Sequence, residues 1–362
     1  MNQKFLTKNR GLSLVELLVT TLISLIAVTA IFQVFADFEG VKRTTMAGGE
    51  AQNNAALALM QVERDVRQAG YGFNTAKLGC KILAWDEQDN GGTSFEITMV
   101  PILIKAGAGE NGSDDVVVLY GDGGLTPTPS SMIQGMPSPS SDYKVNNRYP
   151  FREGDLVVAV EDGKDCTLSQ ISNLPNNSGQ NSNVVHGSGT YTDPWTHVQI
   201  PTRYNKPGGL GIAYDEGAQL YNLGAAPKSY TYFIEESQLK LQDGLRKSGL
   251  GMTQEGMYPD IVYMRAMYGK DTNNDGVVDT YDNIDPVTSD GWTHILSVRL
   301  GLVARSKVFE KKVVSPATIN VWDASTDAPT VDAVSLNLTT EQQHYRYKVF
   351  QVTVPIRNLI WR

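Results

Sequence analysis

A run of 20 residues without a charged side chain, Leu17 to Ala36, begins directly after a carboxylate, Glu16. Lys4, Lys8 and Arg10 precede it, with no acid among the first eleven residues to offset them. About 20 apolar residues suffice for a helix to cross a bilayer, and positive flanks stay on the cytoplasmic side. The spacing therefore predicts a membrane-inserted N-terminal helix with the rest of the chain exported. Glu16 is the anomaly, because a carboxylate at hydrocarbon depth is costly and such residues are usually functional. A cleaved secretory signal needs a short apolar region and a small-residue cut site. Val28-Thr29-Ala30 offers that site, but the apolar run continues through Ile31, Phe32, Val34 and Phe35. A plain membrane anchor explains the run and leaves Glu16 without a role.

Helical signals continue beyond the apolar run. Val41, Ala51, Ala55, Ala58, Val62, Val66 and Ala69 fall mostly at three- and four-residue steps, the face of an amphipathic helix. Gly40, Gly48 and Gly49 predict a kink or frayed section, since glycine weakens a helix interior. Gly70 is a stop signal. After it the pattern becomes strand-like: Thr93 to Ile104, Asp114 to Gly121, a hairpin in Phe151 to Ser172 turning at Glu161-Asp162-Gly163, then Thr231 to Ile234, Ile261 to Tyr268, Thr293 to Ser306 and Tyr345 to Ile360. Two polar stretches, Leu125 to Asp142 and Asn173 to Thr192, read as exposed loops. Gly107, Gly109 and Gly112 spell G-x-G-x-x-G, but a strand follows where dinucleotide binding requires a helix, so this too is a loop.

The stretch "RGLSLVELL" resembles the leader of type IV prepilins. In that family a basic leader ends in Gly, and Glu stands at the fifth mature position. The resemblance makes Gly11 the last leader residue, Leu12 the new N-terminus (the family usually has Phe there) and Glu16 the fifth position. It implies cleavage by a prepilin peptidase and N-terminal methylation. Glu16 would pair with the freed Leu12 amine, in its own chain or a neighbour's, because a charge buried in a helix bundle needs a partner. Further blocks resemble the PilW-type minor pilins: "ERDVRQAGYGF", "GSDDVVVLYG", "FREGDLVVAVEDGKDCTLSQIS", "WTHILSVRLGLVARS" and "RYKVFQVTVPIRN". The implied fold is α+β, a long spine helix packed on an antiparallel β-rich head. The implied organisation is a leader at 1–11, a membrane or filament-core half-helix at 12–36, an amphipathic half at 37–70 and a head at 71–362. The chain would sit in the inner membrane before joining a pilus, at its tip, with the head in the periplasm or outside the cell. Other minor pilins, the major pilin and a tip adhesin would be its partners. A type II secretion pseudopilin shares this plan, and a membrane-anchored calcium-binding adhesin is a third reading.

"DTNNDGVVDTYD" carries chemistry of its own. Oxygen-bearing side chains occupy loop positions one, three, five, nine and twelve: Asp271, Asn273, Asp275, Asp279 and Asp282. Gly276 stands at the sharp turn, and Val277 offers a carbonyl at position seven. This is the EF-hand-type calcium spacing, with Asp replacing the usual final Glu. Strands flank it on both sides, so the expectation is a Ca²⁺ loop in a β context at 271–282, structural in role. Mg²⁺ resists such all-protein cages.

The remaining composition excludes other classes. Net charge is −8 with pI near 5.1, and no basic cluster suggests nucleic acid. The two cysteines, Cys80 and Cys166, leave one disulfide or two thiols open by count; export favours the disulfide. His186, His197, His294 and His344 make no metal-spaced pair, and Ser188 lacks a nucleophile frame. No catalytic centre is expected.

Overall fold

The computed structural model describes residues 13–73, 78–89, 91–123, 128–246 and 255–360. An unbroken 55-residue helix, Leu14–Gln68, opens the chain. At 1.5 Å per residue it spans about 80 Å, far longer than a head of this size needs. Gly40, Gly48 and Gly49 do not kink it, contrary to the expectation from sequence. Each costs about 1 kcal/mol relative to Ala, but none breaks the hydrogen-bond ladder, and the space beside each is open. The helix stops at Gly70, whose φ of 81° is left-handed and whose N–H donates to the Leu119 carbonyl at 2.9 Å.

The helix divides sharply by burial. Ala51, Ala55, Ala58, Leu59, Val62 and Val66 are buried against the head, whereas every residue from Ser13 to Lys42 is exposed. The buried half lies on two five-stranded sheets. One is antiparallel, in the order Glu255–Pro259, Gln238–Asp243, Lys228–Glu235, Asp115–Tyr120, Ile102–Lys105. The other runs Thr330–Val331, Thr280–Asp282, Ile261–Lys270, Ile295–Arg305, Tyr347–Pro355. Alternation in the last strand sends Phe350, Val352 and Val354 to the core under the helix and Val349 to a core on the other face.

A mixed eight-stranded sheet completes the head, with Lys81–Asp86 and Cys166–Gln170 paired in parallel as its second and third strands from one edge. The two polar stretches expected to be loops contribute to it. Ser130–Gln134 pairs with Gln219–Leu220, and Asn183–Val184 forms one edge. Met132, Met136 and Val184, sparse apolar residues in polar surroundings, are buried in a second core with Tyr143 and Leu220. The run Thr93 to Ile104 is not one strand. It divides at Thr98, and its halves join different sheets. The G-x-G-x-x-G segment is a loop, tied down where the Gly107 N–H donates to Asp114 Oδ1 at 2.8 Å.

Candidate functional site

Gly11 and Leu12 lie outside the described residues. Glu16 is exposed in the first helical turn, where peptide dipoles favour negative charge. The hydroxyls in the apolar run satisfy themselves locally: Thr20 donates to the Glu16 carbonyl at 2.8 Å, Ser24 to Thr20 at 2.7 Å and Thr29 to Ile26 at 2.8 Å. Such back-bonding removes the cost of carrying hydroxyls through an apolar medium. Among the described residues this helix alone is long and apolar enough to cross a membrane.

Cys80 and Cys166 form a disulfide, with Cα atoms 6.0 Å apart. It closes a loop spanning 86 positions and reinforces the parallel strand pair beside it.

Residues 271–279 connect two antiparallel strands, Ile261–Lys270 and Thr280–Asp282. Asp271 is buried beneath the turn and organises it. Its carboxylate accepts the backbone N–H groups of Asn274 at 2.6 Å and Gly276 at 2.8 Å, with longer bonds from Asn273 and Asp275. Burial pushes this carboxyl up, but the N–H donors, Gly276 foremost, outweigh it and hold it below the usual range. Gly276 has a φ of 84°, and Asn274 a φ of 64°, conformations that favour Gly and Asn. The Asn273 amide nitrogen bridges Asp275 Oδ2 at 3.1 Å and Asp279 Oδ1 at 3.3 Å. Oxygens of positions five and nine thus converge within reach of one atom. The turn opens on a cleft of about 520 Å³ bordered by His294 and Pro355.

Asp282 stands apart from this group. It lies in the strand, and its Oδ1 accepts Lys270 Nζ at 2.6 Å and the Ile284 N–H at 2.8 Å. The twelfth position therefore has a cationic partner in the protein itself. Among the described residues no three His, Cys, Asp or Glu side chains form a metal-holding set by themselves. The donor chemistry of Asp271, Asp275, Asp279, Asn273 and the Val277 carbonyl suits a hard cation such as Ca²⁺, and a cation here needs the neutral donors as well as the acids. The Val277 N–H already donates to Asp275 Oδ1 at 2.8 Å, which aligns that segment.

The histidines have structural surroundings. His186 stacks on Tyr143 at 4.1 Å, and burial pushes its pKa down; His344 stacks on Phe309 at 4.7 Å.

Residues 228–358 match the PilW family, Type IV Pilus-assembly protein W. The match supports a PilW-type pilus-assembly protein. It covers a little over a third of the chain, including both strands on which the helix rests most closely, Ile295–Arg305 and Tyr347–Pro355. The calcium-spaced turn lies inside the PilW match, and the eight-stranded sheet lies before it. No curated protein and no solved structure matches the chain. Sequence patterns did not mark Asp65, a buried acid on the helix face that packs against the two five-stranded sheets; among Arg64, Arg67 and Glu63 it reads as one more surface charge.

Proposed function

We propose that the chain is a minor pilin that acts early in type IV pilus assembly, in a tip or priming complex with other minor pilins. One observation carries this reading. The sheets that contain the PilW-matched strands and the exposed apolar half-helix are parts of one folded unit, joined through the buried helix face from Ala51 to Val66. A helix whose first half is apolar and uncovered needs a bilayer or neighbouring helices around it. Processing after Gly11 would leave a Leu12 amine for Glu16 to neutralise, in keeping with an exchange between membrane and filament. Adhesion or motility would follow from the head's place at the tip, where a bulky head does not crowd a helical lattice. Ca²⁺ held by Asp271, Asn273, Asp275, Asp279 and the Val277 carbonyl would clamp the 271–279 turn without any chemical step.

Quantitative mass spectrometry of sheared, purified pili tests the proposal. Recovery of this chain far below the major pilin, with pili lost on its deletion, is the expected result. Its co-purification with a secretion complex, with pili intact on deletion, would support the pseudopilin reading instead.

A further inference from the structure

A cleft of about 310 Å³ opens on the head between the Pro150–Asp155 segment and the hairpin formed by Thr190–Thr192 and Gln199–Pro201. Its lining residues all precede residue 228, so it lies outside the PilW match. At its mouth Trp195 is 75% exposed. An indole left open to water on a built turn is unusual, because Trp is among the side chains most strongly driven to burial or to an interface.

The turn that presents Trp195 is held rigidly. Asp193 Oδ1 accepts the Trp195 N–H at 2.9 Å, the Thr196 N–H at 2.7 Å and the Thr196 hydroxyl at 2.9 Å. The Arg152 guanidinium lies over the indole, 5.2 Å from its centroid. Tyr191 lies against Gly154, where a Cβ would come within 2.5 Å of its ring. Glu153 ties the two walls together, accepting the N–H groups of Thr192 and Leu174 at 3.2 Å each. Asp155 lies deeper, accepting the Arg152 N–H at 3.0 Å and the Asn222 amide at 2.8 Å. Tyr149, 73% exposed, immediately precedes Pro150 of the wall.

We propose that this cleft binds a neutral saccharide. The aromatic platform offers an apolar face to the C–H face of a pyranose ring. The carboxylates keep lone pairs for sugar hydroxyls, and Arg152 adds fixed planar donors. The cleft volume falls at the small end of the roughly 300–1,000 Å³ of small-ligand sites. Four acids, Asp122, Glu153, Asp155 and Asp193, face one cation, Arg152. That balance disfavours sialylated, sulfated or phosphorylated ligands. A cationic peptide is the weaker fit, because Arg152 already covers one indole face and places a fixed positive charge at the platform. The site is independent of how the subunit reaches a filament.

The test is a glycan array probed with the full chain in sugar-free detergent, alongside a Lys-rich peptide. Binding to neutral glycans is expected, falling about tenfold or more in Trp195→Ala and holding within about threefold in Trp195→Phe, which keeps a platform. Trp195 is exposed, and an unchanged melting temperature separates loss of binding from loss of folding. Binding to no neutral glycan, binding undiminished by Trp195→Ala, or retention only on acidic glycans or the basic peptide would each overturn the proposal.

Discussion

Tyr232, on the central strand of the antiparallel five-stranded sheet, donates its hydroxyl to the carboxylate of Asp65 on the long helix. Asp65 is fully buried, and Gln61 and Arg64 supply further donors at 3.2 and 3.3 Å. An apolar helix face can slide by a turn against a sheet at little cost. A buried carboxylate that must meet a hydroxyl on the sheet cannot, because an unpaired buried group is penalised. This pair fixes the helix in register with the head.

Removing either partner should therefore destabilise the head. Tyr232→Phe takes away a hydrogen bond to a charged group, worth about 1.5–3 kcal/mol. Asp65→Ala strands the hydroxyl at a cost of about 1–3 kcal/mol. Urea unfolding of the single variants and the double variant should show coupling of at least 0.5 kcal/mol, since contacting groups are not additive. Additive losses would deny the pair its role.

The disulfide should be a major prop. Closing a loop of this length stabilises by roughly 4.6 kcal/mol in the chain-entropy account. Cys166→Ala, at a fully buried position between sheet strands, should lower the denaturant midpoint substantially, and reductant should do the same to the natural chain. A midpoint unchanged by reductant would show that the bond is absent or inert.

Calcium should raise the melting temperature, and chelator should reverse it. At tenfold excess over the dissociation constant, linkage gives about 1.4 kcal/mol. Asp271→Ala and Asp275→Ala should abolish the shift. Asp282→Ala should leave calcium affinity unchanged, because that carboxylate already pairs with Lys270. Loss of affinity in Asp282→Ala would mean that the strand end rearranges to bind.

Stability should also fall in alkali. Burial raises the phenols of Tyr120, Tyr214, Tyr232 and Tyr268 well above their ordinary value of 10, and lifts Tyr221 to about 12. The folded chain holds these protons more tightly than the unfolded chain. Their contribution is complete below pH 10 and is lost as pH climbs through the folded values. Phenolate absorbance should appear together with loss of near-ultraviolet circular dichroism above pH 10. Independent titration of these phenols in a chain that stays folded would contradict the burial described here.

The long helix, its end at Gly70 and the alternating strand Tyr347–Pro355 were legible because each rests on a local period. The break after Thr98 was less legible: its one signal is Pro101, which has no N–H to donate to a strand ladder, inside a run that is otherwise apolar to Ile104. The polar stretches hid strands because two methionines and a valine suffice to anchor them when long-range neighbours supply the rest of the core. The calcium-spaced turn was legible as a motif, but spacing could not reveal that Lys270 competes for Asp282. Trp195 gave no periodic signal at all. Its setting is made by Arg152 and Tyr191, which the fold brings together from separate segments.

The measurement that bears most directly on the central claim is mass spectrometry of the N-terminal peptide of the chain isolated from its native membrane. The account predicts a peptide beginning at Leu12, with a methylated amine for Glu16 to face. A peptide beginning at Met1 or Asn2 would contradict it, leaving a membrane-anchored protein in which Glu16 has no partner to neutralise.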